Sequence, residues 1–381
     1  MGTKDAKKTA KPEAAFRTYS RGICSNNDAY VYAFAAQALH DRAKRMVEAY
    51  AVELDRWRRA GAPKDLEAFL HVNEQELKWI RRTKKELARA KETRFEPQKL
   101  RQAQYRPFAR LAYYFEDAFN EDTYQFGEFF PGPQAEAENR AIAVTDAGSE
   151  KPFMAWMTNR ICDMHLVGAG ASCQCFPFYT YAEDGTARRE NITDWGLKQF
   201  QTHYQAEVSK WDIFYYVYAV LHHPQYREHY AANLRRELPR IPFAPDFHAF
   251  AIAGKQLADL HVGYEQAKEY PLTRREKPDT QLNWRVEKMK LTRDKTSLVC
   301  NDFLTLDGIP PETFEYRLGN RSALDWVIDQ YQVSTDKRSG ITNDPNRPDD
   351  PQYIVRLTAQ VITVSLETVK IVKSLPSLQT S

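Results

Sequence analysis

The sequence predicts an α+β protein: a helical N-terminal connector, a mixed β-rich unit, a helical bundle-like segment and a small α/β C-terminal unit. Three observations predict it. Apolar residues recur at three- and four-residue steps before residue 100. Short apolar and aromatic runs, broken by Gly, Pro and Asn, follow from about 100 to 200. Helical spacing then returns from 208, with a strand-rich interruption near 284–318. At 381 residues, 43% hydrophobic and 13% aromatic, the chain is long enough for two or three packed units.

Residues 1–15 (MGTKDAKKTAKPEAA) are charged and lack the apolar stretch of a secretory signal, so they read as a flexible basic tail or the cut end of a longer protein. The connector spans 16–100. Met46, Val47, Tyr50, Leu54 and Trp57 share one face of a helix expected over 30–60, which Gly61-Ala62-Pro63 stops. A second helix is expected over 74–92, with Leu77, Ile80 and Leu87 inside and Arg81, Arg82, Lys84, Lys85, Arg89 and Lys91 outside. In the β-rich unit, 101–205, strands are expected at Leu111–Phe115, Phe126–Phe130, Ala141–Val144, Phe153–Met157 and Phe176–Tyr181.

The helical segment covers 206–265. Trp211–Leu221 is apolar nearly all round, as a buried helix is, and His222-His223-Pro224 ends it. An amphipathic helix is expected over 225–236, and Asp246 is placed to cap another running to about Tyr264. Residues 266–283 read as a linker. The last unit, 284–381, holds a β-rich stretch, a helix over 321–332, a polar loop over 336–351 and a final helix over 352–374.

Charge is unevenly spread. Residues 1–110 hold 25 Lys/Arg against 14 Asp/Glu, a net of +11, so the other 271 residues carry −8 of the overall +3. A basic third on a mildly acidic body suggests a local surface for a polyanion, although ordinary solvated helix faces produce the same imbalance. Five cysteines (Cys24, Cys162, Cys173, Cys175 and Cys300) are too few and too scattered for a disulfide framework, and fit a reducing, cytoplasmic setting. No apolar run approaches the roughly 18 residues of a membrane span, so no membrane partner is expected.

Catalytic signatures are mostly missing. The sequence holds neither GxGxxG nor GxxxxGK[ST], and Gly168-Ala169-Gly170-Ala171 reads as a plain loop. GxSxG and HExxH are also missing. A nuclease would carry PD followed by [DE]xK, but after Pro278-Asp279 the lysine of Glu287-Lys288-Met289 falls one position early. Ile309-Pro310-Pro311-Glu312 does not meet the Asn/Asp/Ser-Pro-Pro-aromatic pattern of an amino-methyltransferase. Cys162, His165, Cys173 and Cys175 could in principle enclose a zinc ion, but the x1 spacing of the second pair and the following Phe176-Pro177-Phe178 favour buried thiols. His222-His223 reads as a helix end. No catalytic residue, metal or cofactor is expected.

A contact surface remains. Arg and Asn carry the forked donors that read guanine and adenine edges, and Lys/Arg on early helices suit phosphates. Arg81, Arg82, Lys84 and Lys85 are therefore the candidate phosphate contacts. Arg106, Arg110, Asn159, Arg160, Arg188 and Arg189 are the candidate base or groove-edge contacts.

Several segments together resemble one known family. Arg17–Phe34 (RTYSRGICSNNDAYVYAF), with the helix ending Glu53-Leu54-Asp55-Arg56-Trp57, resembles the segment after the methyltransferase core of type ISP single-chain restriction–modification enzymes. There the pattern G-x-x-T-N-R-D-x-W-V-Y-x-F is usual, and Ser25-Asn26-Asn27-Asp28-Ala29-Tyr30 departs from it at the Thr, Arg and Trp. Tyr105-Arg106-Pro107-Phe108 matches the family's YRPF element, and Phe176–Tyr181 is similar to its FPLY-type strand. Asp212–His222, Tyr226-Arg227 and Pro239-Arg240-Ile241-Pro242 are similar to its best-marked stretch. Tyr316–Gly319 and Ala323–Trp326 resemble its IGG-type turn and KWL-type helix.

The resemblance spans about 17–375. It implies a C-terminal target-recognition region that reads double-stranded DNA. Adenine methyltransferase and helicase/nuclease domains, in cis or in trans, would be its partners. It transfers no individual base contact. The alternatives left open are a structural partner of a methyltransferase that does not touch DNA, and a metal-dependent nuclease.

Overall fold

The computed structural model describes residues 1–2, 8 and 13–378, and helices and short strands intermingle along the whole chain, an α+β arrangement. Most of the expected basic tail lies outside the described residues. Its end is fastened: Thr193 donates to the Ala14 carbonyl at 2.6 Å from Oγ1 and to the Ala15 carbonyl at 3.0 Å from its backbone N–H.

Strand β1 (Ser20–Arg21) leads to a short helix α1 (Asp28–Val31), strand β2 (Tyr32–Ala33) and helix α2 (Ala36–Arg59). The helix expected from residue 30 thus begins at 36, because Tyr32 and Ala33 pair with a later strand. It buries Met46, Val47, Tyr50, Leu54 and Trp57 and ends where Gly61 and Ala62 turn left-handed (φ +67° and +52°). Helix α3 (Leu66–Phe69) follows. Helix α4 covers only Arg81–Ala88, not 74–92. Leu77 and Ile80 are buried as expected, but on a turn and an extended residue that enter the helix.

Strands β3 (Leu100–Arg106) and β4 (Ala109–Tyr114) form a hairpin. The expected strand at 126–130 is instead a single turn, α5 (Phe126–Phe129). Its rings at 126, 129 and 130 fall on one face and pack at 5.6 and 6.1 Å, a helical spacing that the aromatic run concealed. Next come α6 (Pro133–Glu138), β5 (Ala141–Thr145), β6 (Ala155–Thr158), β7 (Ile161–Cys162), β8 (Cys173–Pro177), β9 (Tyr179–Thr180) and β10 (Arg189–Glu190).

Helix α7 (Asp194–Tyr204) precedes α8 (Lys210–His222), which starts at a capping box between Ser209 and Asp212. The expected helix over 225–236 is broken at Tyr230 into α9 (Pro224–His229) and α10 (Ala231–Leu234). Asp246 accepts from the Ala249 N–H and caps α11 (Phe247–Val262). Strand β11 (Thr273–Glu276) lies within the segment read as a linker and joins β12 (Lys290–Leu291), β13 (Ser297–Val299) and β14 (Leu304–Asp307) in a sheet of order β11-β14-β13-β12. Hairpin β15 (Arg317–Leu318)/β16 (Arg321–Ser322), helix α12 (Ala323–Gln330), hairpin β17 (Ser334–Thr335)/β18 (Thr342–Asn343) and helix α13 (Tyr353–Ser374) complete the chain. No helix of the described residues is long and apolar enough to cross a membrane.

The sheet of order β1-β8-β5-β6 separates two apolar cores. Strand side chains alternate between faces. Ala141, Ala143, Trp156, Cys173 and Cys175 enter one core with α2, β3, β4, α12 and α13. Ile142, Val144, Ala155, Met157 and Phe176 enter the other with α8 and α11. Burial on both faces explains why these strands read as continuous apolar runs. A second sheet, β2-β4-β3-β7, adds a parallel pairing of β3 with β7 and meets the first at the bridge between Ile23 and Asp163.

Candidate nucleic-acid interface

The ten residues singled out from sequence fall into three physical settings. Arg81, Arg82, Lys84 and Lys85 occupy α4. Arg81 pairs with Glu121 with its own side chain 80% exposed, Lys84 reaches Glu67 at 2.7 Å, and Lys85 is exposed. Arg82 differs, because its 2.8 Å partner Glu86 is fully buried. The Lys84–Glu67 pair, with Glu67 70% exposed, contributes only about 0–1 kcal/mol, so a phosphate can displace it, whereas Glu121 is 13% exposed and only the Arg81 side of that pair faces solvent. A buried carboxylate holds its cation more firmly.

Around α6 the structure gathers Asn159, Arg160 and Arg188. Asn159 and Arg160 both donate to the Glu136 carbonyl, at 3.2 and 3.3 Å. The Glu136 carboxylate holds the buried Arg101. Arg188 reaches Glu138 at 2.6 Å and lies over the Tyr179 ring at 4.7 Å, with half its side chain in solvent. Arg189 stands exposed on β10, opposite Thr180. Burial, with Arg110 nearby, lowers the Arg160 guanidinium's affinity for its proton.

Arg106 and Arg110 lie inside. Arg106 meets Asp163 at 2.7 Å, with 12% and 4% of the two side chains exposed, and stacks on Tyr105 at 3.8 Å. Arg110 meets Glu265 at 3.0 Å and donates to the Val262 carbonyl at 2.6 Å. These two arginines tie the β3–β4 hairpin to β7 and to the end of α11.

The polar network around Asp163 was not singled out from sequence. Asp163 accepts from Arg106, from the His165 N–H at 2.9 Å and from the Tyr32 hydroxyl at 3.2 Å. Burial pushes its carboxyl up to about 6, against the pull of Arg106. Asp28 accepts from Tyr105 at 2.8 Å and from Ser25. Gly22 lets the two strands meet: a Cβ there would sit 2.7 Å from the Asp163 carbonyl. The runs Ser25-Asn26-Asn27-Asp28 and Asp163-Met164-His165 were the available signal, but only contact across 135 residues joins them.

Cys162, Cys173 and Cys175 are buried, with sulfurs 3.9 and 4.0 Å apart in sequence order and all three within 4.8 Å. They form the one metal-compatible grouping among the described residues, and it does not include His165, whose Nδ1 lies 3.1 Å from the Ala171 carbonyl. Contact with the other two thiols, together with burial, raises the Cys162 thiol. His222 and His223 face the Tyr218 and Pro376 carbonyls at 2.8 and 3.1 Å, as residues closing a helix do.

The family model described as the type ISP C-terminal specificity domain matches residues 14–357. Among solved structures, the chain is similar to a nuclease-deletion mutant of the type ISP restriction-modification enzyme LlaGI in complex with a DNA substrate mimic. The identity is 31%, the TM-score 0.86, and the match covers 100% of this chain and 35% of that one. It is similar to DrdV in a DNA complex, at 36% identity and TM-score 0.88, over 99% of this chain and 38% of that one. It is also similar to the ATP-dependent type ISP enzyme LlaBIII bound to DNA, at 27% identity and TM-score 0.86, over 100% and 24%. The chain thus spans 24–38% of the length of these structures. No curated protein matches it.

Proposed function

The chain belongs to the type ISP C-terminal specificity domain family, and from that premise we propose that it recognises a sequence in double-stranded DNA and positions it for adenine methyltransferase and helicase/nuclease domains in cis or in trans. The observation that carries this reading is the match over nearly the whole chain to three structures described as complexes with DNA or a DNA mimic. Catalysis is assigned to those other domains, and this chain contributes binding and register.

Ion-pair energetics sort the contacts. Arg81, Lys84 and Lys85 are proposed for phosphates, with Arg82 beside them. Arg188 and Arg189 are proposed for groove edges, with Asn159 and Arg160 behind them. Arg106 and Arg110 act as positioning residues, because their own side chains are only 12% and 9% exposed, unlike that of Arg81, and withdrawing either would break an ion pair inside the fold.

Fluorescence anisotropy with a randomised duplex pool tests the reading. Neutralising about three phosphates implies an affinity loss of roughly 40-fold between about 50 and 200 mM salt. Selection from that pool is expected to enrich one short sequence. Affinity independent of salt, or a pool that stays random, would overturn the proposal.

A further inference from the structure

A cleft of about 810 Å³ opens between the segment from Ile23 into α1 at Tyr30, the segment holding Glu74 and Lys78, and the tip of the β17–β18 hairpin. Its polar groups are unevenly matched. Asn27, only 1% exposed, donates its side-chain amide N–H to the Phe119 carbonyl at 3.1 Å and its backbone N–H to Ser25 Oγ at 3.1 Å. Among the described residues its buried Oδ1 has no partner. Glu121 gives one oxygen to Arg81, while its buried Oε2 likewise has none. Both atoms accept and neither can donate. A buried acceptor left unpaired is costly, so two in one cleft point to a donor that arrives from outside.

The charge around them agrees. Among the described residues Asp28 receives hydrogen bonds only from the Ser25 and Tyr105 hydroxyls, and no cation pairs with Asp28, Glu74 or Asp336, all of which line the cleft. Lys78 is turned to the Asn26 carbonyl at 2.7 Å, and Lys337 and Arg338 stand exposed at the hairpin tip. Five carboxylates against three Lys/Arg in the lining disfavour a phosphate backbone inside the cleft. A divalent ion is not favoured either, because among the described residues these carboxylates do not converge to within the spacing of metal ligands. What remains is an extended cation with several donors. A guanidinium presents five N–H groups in a planar fork and loses little hydration on entering such a site.

We propose that this cleft receives an arginine side chain from a partner polypeptide, whose guanidinium donates to Asn27 Oδ1 and Glu121 Oε2 beside the Asp28 carboxylate. The site borders the DNA-assigned α4, because Glu121 gives its other oxygen to Arg81, and it would give the chain a protein-docking point beside that surface.

Saturation-transfer NMR on the full chain tests it, with Nα-acetyl-arginine N-methylamide as the probe. The lysine and citrulline counterparts serve as controls for fork and for charge. Saturable binding of the arginine probe in roughly the millimolar range is expected, with the lysine probe weaker and the neutral citrulline probe at least about tenfold weaker. Glu121→Gln and Asp28→Asn, each checked for an unchanged melting temperature, are each expected to weaken the arginine probe about threefold or more. Equal binding of arginine and citrulline, absence of saturable binding, or indifference to both substitutions would overturn the proposal. Displacement of the probe by magnesium chloride at matched ionic strength would overturn it in favour of a metal site. DNA affinity is read without the probe, so the two proposals fail independently.

Discussion

Arg106 and Arg189 are the same residue type in opposite circumstances, and a single substitution separates their roles. Arg106→Ala strands the buried Asp163 and is expected to cost about 3–5 kcal/mol in urea unfolding. Arg189→Ala, on an exposed strand, should change stability by less than about 0.5 kcal/mol and weaken DNA binding several-fold by anisotropy. The reverse pattern would exchange their assignments. His261 offers a pH test. It is fully buried between Trp156 and Tyr316, bonds Tyr218 at 2.6 Å and Thr368 at 2.9 Å, and burial, aided by Arg227, lowers its pKa to about 3. Its folded pKa lies below the unfolded value near 6.5, so its stabilising contribution is complete above pH 6.5 and is lost as pH falls toward 3. Asp163, raised to about 6, acts oppositely: its contribution grows as pH falls from 6 toward 3.8. Between pH 7 and 5, the native chain is therefore expected to lose about 2 kcal/mol relative to His261→Phe, measured by urea melts of both at each pH. Parallel pH profiles for the two proteins would refute this. None of it was legible in the sequence, where His261 is one polar residue near the end of a helix.

Elements were legible where local chemistry and burial agreed. Trp211–Leu221 is apolar on all sides, Ser209 and Asp212 cap it, and His222-His223-Pro224 ends it, so expectation and α8 coincide to within a residue or two. Agreement failed where a neighbour decided. Tyr32-Ala33 continues a helical pattern but pairs with β4, and Phe126–Phe130 has strand composition but packs as one turn. The packing of α8 on α11 has its own test. A Cβ at Gly254 would lie 1.8 Å from the Tyr215 carbonyl oxygen, a backbone atom that no side-chain rotation can move aside. Gly254→Ala should therefore push the helices apart and cost about 3 kcal/mol or more, although alanine is the better helix former. An unchanged denaturation midpoint would mean that the two helices pack less closely.

Across the whole molecule, one core joins the two ends of the chain: Leu357 of α13 lies in the same cluster as Trp57 of α2 and Leu111 of β4. Leu357→Ala is expected to destabilise by about 2–5 kcal/mol and to speed amide exchange in β3 and β4, some 250 residues away in sequence. Exchange that quickens only in α13 would show that the ends fold separately. The sequence by itself determined the α+β class, most helices, the family and the kinds of residue available to meet DNA, because periodicity, caps and ordered motifs are local or linear signals. Only the tertiary structure decided which of the ten candidate residues face solvent. A Lys or Arg looks alike in sequence whether water or a buried carboxylate surrounds it, and the partners of Arg106 and Arg110 lie 57 and 155 residues away. The basic surface expected from composition is thereby sharpened to the exposed residues on α4 and near α6, with an acceptor-rich cleft beside Glu121 that charge counting could not reveal.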